Sequence, residues 1–307
     1  MYKYFNKGEC ELNILIFGGT GFVGKQLTKE LEKEENHLYI VSRNPKAYQN
    51  TNQVNYMKYG PSLTTLPPID LVINLAGESL FGYWTKNKKE KILQSRIQTT
   101  REVVSFIRDA KEKPKVYIQA SAIGYYGRST DKIFTEKTRR PGDDFLASVV
   151  TAWEKEAEKA KEYGVRTVCA RFGLILGEGG SLPLMSLPVK LFVGGKIGKG
   201  DQWISWIHID DLIALLLHCI YTESIQGPVN FTTPAPVENK DLMKAIAKVL
   251  RRPCYFPTPR PIMRLTLGEM SELITKGQYV LPGQAEKFDY LFKYPKIEKA
   301  LIDIFTN

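Results

Sequence analysis

The sequence predicts an α/β protein, a doubly wound parallel sheet with a smaller C-terminal lobe. Three observations carry the prediction. Short aliphatic runs alternate with segments of helical spacing, a glycine-rich turn joins the first run to the first helix, and beyond about Gly177 the alternation lapses into Gly- and Pro-rich sequence. Strand and helix taking turns implies right-handed βαβ units and parallel pairing.

The first run is "NILIF", and behind it Gly18, Gly21 and Gly24 form G-x-x-G-x-x-G at the start of a helix with apolar positions Phe22, Val23, Leu27 and Leu31. "LYIVS" is the second strand and "DLVINLA" the next run. A helix follows through Ile92, Leu93, Ile97, Val104 and Ile107, then the strand "KVYIQAS", then a helix through Phe145, Val149, Trp153 and Ala157. "RTVCARFGLIL" reads as one further strand. These runs are almost continuously apolar, as strands are when helices cover both faces of a sheet. After "GEGGSLPLMSLPVKLFVGGKIGKG" come "DQWISWIHIDD", the apolar helix "LIALLLHCIY", a short strand "PVNFTT" and a largely helical remainder interrupted at "RRPCYFPTPRP" and "VLPGQ". The expected division is a sheet domain over 12–230, with 178–200 lent to the smaller lobe, and that lobe over 231–307.

Composition narrows the class. The 307 residues are 43% hydrophobic and 25% charged, and no apolar stretch nears the ~20 residues that span a bilayer, so no membrane partner is expected. "MYKYFNKGECEL" is polar, unlike a secretory signal, and a cytoplasmic location is the expectation. Cys10, Cys169, Cys219 and Cys254 form no C-x-x-C pair and read as reduced thiols, with no metal site. The net charge of +10 raises the question of nucleic acid, but its densest run, "KNKKEK" at 86–91, opens a helix and reads as a solvated face. Steering an anionic small molecule is the more economical use of that charge.

The glycine turn supplies the chemistry. Between strand and helix, glycines allow backbone angles closed to other residues and let the chain approach a diphosphate without a Cβ in the way; amides at the helix start, including those of Phe22 and Val23, then bind the anion. This is the Rossmann-type dinucleotide turn. At the end of the second strand an NAD protein places an acid for the ribose 2′-hydroxyl. This chain has Ser42 and Arg43 instead, a forked cation suited to a 2′-phosphate, so NADP is expected over NAD.

With "GGTGFVG", "DLVINLAGES", "QASAIGYYG" and "RFGLILG" in this order, the chain resembles the extended short-chain dehydrogenase/reductase superfamily, which contains nucleotide-sugar epimerases. "AGESLFGYWTKNKKEKILQSRIQTT", "DDFLASVVTAWEKEAE", "GKGDQWISWIHIDDL" and "LTLGEMSELITKGQYVLP" narrow the resemblance to atypical "epimerase family" proteins with a C-terminal domain of unknown function. The resemblance implies that Asn74, Ala76 and Gly77 line the cofactor, with Glu78 at the tip of their loop, and that the fifth strand carries a serine, Ser121, near the cofactor and the chemistry. It also allows a homodimer through sheet-flanking helices. The superfamily's Tyr-x-x-x-Lys pair, which moves the substrate proton and holds the nicotinamide ribose, is missing: Phe145 and Val149 stand there, and Ala122 competes with Ser121 for the serine position.

Migrated chemistry would fall to Tyr125 or Tyr126 after the fifth strand, with Glu78, Arg96, His208 or Asp210 assisting from the other wall. Each has a plainer reading. Arg96 anchors a loop, His208 is a hydrogen-bonded core group, and one of Asp210 and Asp211 caps a helix. Trp203 and Trp206 fill core or wall a planar substrate, and Glu136 reads as a surface loop carboxylate unless the family's acidic loop position applies. Two functions stay open: an NADP-dependent oxidoreductase or epimerase on a hydroxylated small molecule, sugar-containing ones included, and a catalytically silent NADP-binding sensor or scaffold.

Overall fold

The computed structural model describes residues 11–306 apart from 61, 62 and 64, so Cys10 lies outside the described residues. The chain runs β1 (Asn13–Phe17), α1 (Phe22–Glu32), β2 (His37–Val41), β3 (Val54–Met57), β4 (Leu71–Asn74), α2 (Lys86–Asp109), β5 (Val116–Ala122), β6 (Ile133–Phe134), α3 (Phe145–Glu158), β7 (Arg166–Phe172) and β8 (Leu174–Leu176). It continues through α4 (Leu182–Lys190), β9 (Trp203–Ile204), β10 (Trp206–His208), α5 (Ile209–Tyr221), β11 (Gly227–Phe231), β12 (Val237–Glu238), α6 (Asn239–Leu250) and α7 (Arg260–Leu267). Last come α8 (Glu272–Thr275), β13 (Tyr279–Val280), α9 (Gly283–Lys287) and α10 (Ile297–Thr306).

Seven strands pair in parallel in the order β11-β7-β5-β4-β1-β2-β3. The chain leaves β1 toward β2 and β3, then returns to the other side with β4. That reversal makes a crevice at the carboxyl ends of β1 and β4. Alternation along each strand explains the two cores. Ile14, Ile16, Ile73, Ile118 and Val168 meet one helical layer with Leu212 and Leu216 of α5, whereas Leu15, Phe17, Val72 and Tyr117 meet the other with Val103 and Ile107 of α2. A further core joins Leu182 and Val189 of α4, Leu242 and Ile246 of α6 and Leu301 of α10 around Trp206. No helix of the described residues is long and apolar enough to cross a membrane.

The strand expected over "RTVCARFGLIL" is broken in two at Gly173. A Cβ there would lie 2.6 Å from the Ser205 carbonyl oxygen, so the chain bends where the second segment crosses it. β8 then leaves the main sheet and pairs with β10. "PVNFTT" returns to the main sheet as its edge strand β11, Val229 beside Ala170. On the side of β11 away from β7, against which residues 280–284 lie, Pro228 has no N–H, and the N–H of Asn230 donates to Glu136 Oε1 at 2.8 Å. Burial pushes the Glu136 carboxyl up in pKa, against the donors Asn230 and Gln284 that favour its charge.

His208, Asp210 and Asp211 seat α5. His208 is the N-cap, its Nδ1 accepting from the Asp210 N–H at 3.1 Å. Asp211 is 1% exposed and its carboxylate accepts from the N–H groups of Lys293 (2.7 Å) and Tyr294 (2.8 Å) and from the Tyr290 hydroxyl (3.2 Å). It ties α5 to the C-terminal segment and is not half of a catalytic pair. Asp211→Ala strands these buried donors and is expected to lower stability by about 2–4 kcal/mol in urea unfolding.

Burial holds the His208 imidazole below its usual pKa of 6.5, against the carboxylates of Asp210, Asp303 and Asp211 and with the help of Lys293. The folded state therefore binds fewer protons than the unfolded chain just below pH 6.5, and stability falls as pH drops through that range. Stability measured against pH in His208→Asn is expected to lose this part of the slope.

Candidate cofactor site

The crevice is built by close backbone approach. Gly18 has φ +77°, and a Cβ on it would stand 2.7 Å from the Ala76 nitrogen; a Cβ on Gly24 would stand 2.3 Å from the Gly18 carbonyl oxygen. Strand β1, the turn and the loop after β4 thus touch where only glycine fits. The Gly21 N–H closes the turn on the Gly18 carbonyl at 3.0 Å. Thr85, Asp144 and His208 cap α2, α3 and α5 with side-chain acceptors, but no side chain caps α1 and no acid stands in its first turn. The first amides of α1 point out of the turn with the positive end of the helix behind them. The Phe22 ring faces away and lies against Gly177, Gly179 and Gly180, each of which would bring a Cβ within 3.3 Å of it.

Ser42 continues β2, its N–H donating to the Met57 carbonyl at 2.9 Å, and its hydroxyl accepts from the Asn44 N–H. Arg43 beside it is exposed. Across the crevice, Asn74 is fully buried: its amide donates to Thr100 Oγ1 and Gln119 Oε1, and its carbonyl accepts the Ala76 N–H at 3.1 Å. Asn74 positions the loop; its own polar atoms face the core, not the crevice. Glu78 pairs with Lys88 at 2.8 Å, which holds its carboxyl below the usual range, and the charges of Arg43 and Lys91 act in the same direction. Arg96 is a loop anchor. Its Nη1 donates to the Glu78 and Ile92 carbonyls at 3.1 Å, its guanidinium lies under Gly77 and over the Trp153 ring, and burial draws its pKa down to about 10.

The hydroxyls expected to replace the missing tyrosine lie at the carboxyl end of β5 and in the turn after it. Ser121, Arg171 and Asn230 stand in register on neighbouring strands and share the face covered by α3. Ser121 donates to Glu154 Oε1 at 2.6 Å, and the same carboxylate takes two bonds from Arg171, at 2.8 and 2.6 Å. The Tyr126 hydroxyl donates to Asn230 Oδ1 at 2.7 Å and accepts from Arg171 Nη1 at 3.0 Å; burial pushes its pKa up to about 12. Ser121 and Tyr126 are each 3% exposed, and both hydroxyls are bonded within this network. Tyr125 stacks on Arg171 with its hydroxyl on the Arg139 carbonyl, and it lines a cavity of about 250 Å³ beside α3 that no residue of the glycine turn enters. Phe145 and Val149 join Trp84, Ile92 and Met270 in a closed apolar cluster.

Trp203, Trp206 and His208, the residues expected on the second wall or in the core, are placed as follows. Trp206 is wholly buried, donates to the Ala235 carbonyl at 3.1 Å, and fills core. Trp203 is half-buried, donates to the Thr130 carbonyl and meets Tyr279 edge-on. His208 is 2% exposed, committed to its cap, with Nε2 facing Asp303 at 3.4 Å. His208, Asp210 and Asp303 come close enough to suggest a metal, yet Lys293 Nζ sits 3.0 Å from Asp210, and the acceptor role of Nδ1 leaves the proton on Nε2. A protonated nitrogen holds no metal. Sequence reasoning missed Lys88, Glu154 and Arg171; nothing in their spacing marks them, because their partners come from other elements.

Comparisons agree with this geometry. Residues 14–230 match the model of the NAD dependent epimerase/dehydratase family, and residues 258–304 match a domain of unknown function, DUF1731. The epimerase family protein YfhF of Bacillus subtilis (strain 168) is 46% identical over 299 residues, covering 96% of this chain and 99% of that protein. The crystal structure of human epimerase family protein SDR39U1 (isoform 2) with NADPH superposes with a TM-score of 0.87 at 29% identity, covering 96% of this chain and all of that one. UDP-glucose 4-epimerase from Thermotoga maritima, with UDP-glucose, shares the fold alone, with a TM-score of 0.77 at 16% identity over 96% of this chain and 98% of that one. Glycine turn, seven-stranded parallel sheet and family match together place this chain in the NAD dependent epimerase/dehydratase family, with the Rossmann-like fold of extended short-chain dehydrogenase/reductase epimerases.

Proposed function

We propose that the chain binds NADP(H) in the crevice between β1 and β4 and acts as an atypical oxidoreductase or epimerase on a hydroxylated small molecule, sugar-containing ones included. The observation that carries the reading is the cradle itself: Gly18 and Gly24 leave no room for a Cβ, and the first turn of α1 lacks a side-chain cap. These residues fit a diphosphate. The uncapped amides of α1 would hold it, the backbone of Ala76 and Gly77 would flank the adenosine side, and Arg43 with Ser42 would meet a 2′-phosphate. The human relative crystallised with NADPH supports the choice of coenzyme.

When bound, a nicotinamide supplies or accepts a hydride at a carbinol carbon. The chain's own residues orient and exclude water. Lys88 and Glu78 form a charged pair on the loop after β4, and Phe145 and Val149 belong to an apolar cluster with Trp84, Ile92 and Met270. That same cluster favours a second reading, the silent NADP(H) sensor or scaffold, because Phe145 and Val149 offer no proton and Ser121 and Tyr126 keep theirs in buried bonds.

The coenzyme half is tested by calorimetry. Wild-type protein is expected to bind NADPH more tightly than NADH, and Arg43→Ala is expected to weaken NADPH at least tenfold, roughly 1.4 kcal/mol, while leaving NADH nearly unchanged. Tighter binding of NADH by the wild type overturns the assignment. The reaction is tested by incubating NADPH with a panel of carbonyl compounds, and NADP with alcohols and sugars, and following the nicotinamide absorbance together with epimer exchange by NMR. Turnover is expected. Binding without any turnover across the panel assigns the silent function.

A further inference from the structure

The described surface carries seventeen exposed large hydrophobic residues, and nine of them come from two short segments, 184–193 and 255–265. They are concentrated, unlike the single exposed apolar side chains of an ordinary surface. In α4, Leu182, Ser186 and Val189 turn inward, while Leu184 and Leu187, with Leu191 just after the helix, are 55, 49 and 62% exposed. Phe192 and Val193 continue the exposed run. In α7, "RPIMRLTL" buries no residue at all, and Leu265 is 80% exposed.

Backbone pairing holds the two segments side by side. The N–H of Phe256 donates to the Gly194 carbonyl (3.2 Å), that of Thr258 to Lys196 (2.9 Å) and that of Gly198 to Thr258 (2.9 Å), and the Arg252 guanidinium lies 4.5 Å from the Phe192 ring centre. The two segments themselves carry charge of one sign, between the flanking acids Glu178, Asp201, Asp241 and Glu269. Residues 179–200 contain three lysines and no acid, and residues 242–268 contain six lysines and arginines and no acid. The carboxylates that reach them come from their margins, Asp201 to Arg260 and Asp241 to Lys244.

We infer that this face docks the protein on the surface of an anionic phospholipid bilayer, with the apolar side chains of α4, 191–193, 255–256 and α7 in the acyl boundary and the surrounding cations among lipid phosphates. Apolar and cationic groups on one face are what an interfacial site requires, because burial and attraction to acidic headgroups then add. Charge complementarity chooses this occupant over a second copy of the chain. An isologous pair would set the same cations against their own copies, seven of the nine having no ion pair to Asp201 or Asp241 to offset them. That no helix of the described residues is long and apolar enough to cross a membrane does not bear on a face that lies on the surface.

The test is co-sedimentation of the full chain with phosphatidylcholine vesicles, with and without phosphatidylglycerol. The wild type is expected to sediment with the phosphatidylglycerol vesicles, less so at high salt, and to stay in solution with phosphatidylcholine alone. A variant with Leu187→Ser, Leu191→Ser, Ile262→Ser and Leu265→Ser, all exposed positions, is expected to partition about tenfold or more weakly with an unchanged thermal melt. A control with Leu291→Ser and Ile302→Ser, exposed outside this face, is expected to sediment like the wild type. Three results overturn the inference: no sedimentation of the wild type; equal sedimentation of the fourfold variant, which assigns the binding to bulk charge; or, in lipid-free buffer, a dimer by light scattering or capture by polyglutamate that the fourfold variant abolishes, which assigns the face to a second copy or to an acidic protein. NADPH affinity is read in parallel, so that a loss of the cofactor site is told apart from a loss of docking.

Discussion

The architecture rests on how closely three pieces of backbone approach one another at the carboxyl ends of β1 and β4. Gly18 touches the Ala76 amide region and Gly24 lies on Gly18, with no side chain between them. This contact sets the start of α1, hence the direction of its free amides, and fixes the β4 loop on which Glu78 stands. Buried Asn74 holds that loop from below and Arg96 from the side. A crevice that binds a diphosphate through backbone N–H groups needs this rigidity, since amides cannot reorient as side chains do.

Beneath the crevice, polar groups are arranged to hold the sheet to α3. Burial works against the charge of Arg171, but its bonds to Glu154 more than offset that and keep the guanidinium strongly protonated. Ser121, Tyr126 and Asn230 complete the bonding of the pair. A buried ion pair of this kind adds little over an apolar substitute of the same shape, but it penalises any register in which one partner is left alone. It specifies which residue of β7 stands beside β5 and β11. The departure from the superfamily pattern is thus consistent through the neighbourhood: where the tyrosine and lysine of α3 would stand, Phe145 and Val149 are packed by Trp84 and Met270.

Much of this was legible in the sequence. The alternation of runs locates β1, β2, β4, β5, β7 and the helices α1, α2, α3 and α5, because apolar periodicity is a local property of a chain with one buried face. β3 escaped notice because "VNYM" is short and half polar, as an edge strand tends to be. The break at Gly173 was hidden because its cause, Ser205, lies far away in sequence. The same limit applies to the site. Gly18, Gly21 and Gly24 announce themselves by spacing, whereas Tyr126 looks like a loop tyrosine until Arg171 and Asn230 are seen to close on it. The burial of Trp206 and His208 depends on packing from other elements, which local sequence does not carry.

The outer border of the sheet has a bearing on how the molecule behaves in a crowded solution. An incoming extended peptide seeking to add itself beside β11 meets a proline ring at 228 and, two residues on, an amide already engaged by the Glu136 carboxylate. Neither position has a hydrogen to give. Fibrous association through this side of the sheet is therefore discouraged by covalent structure at one residue and by an internal bond at the other, and that second safeguard lasts only while the loop bearing Glu136 remains folded against the strand.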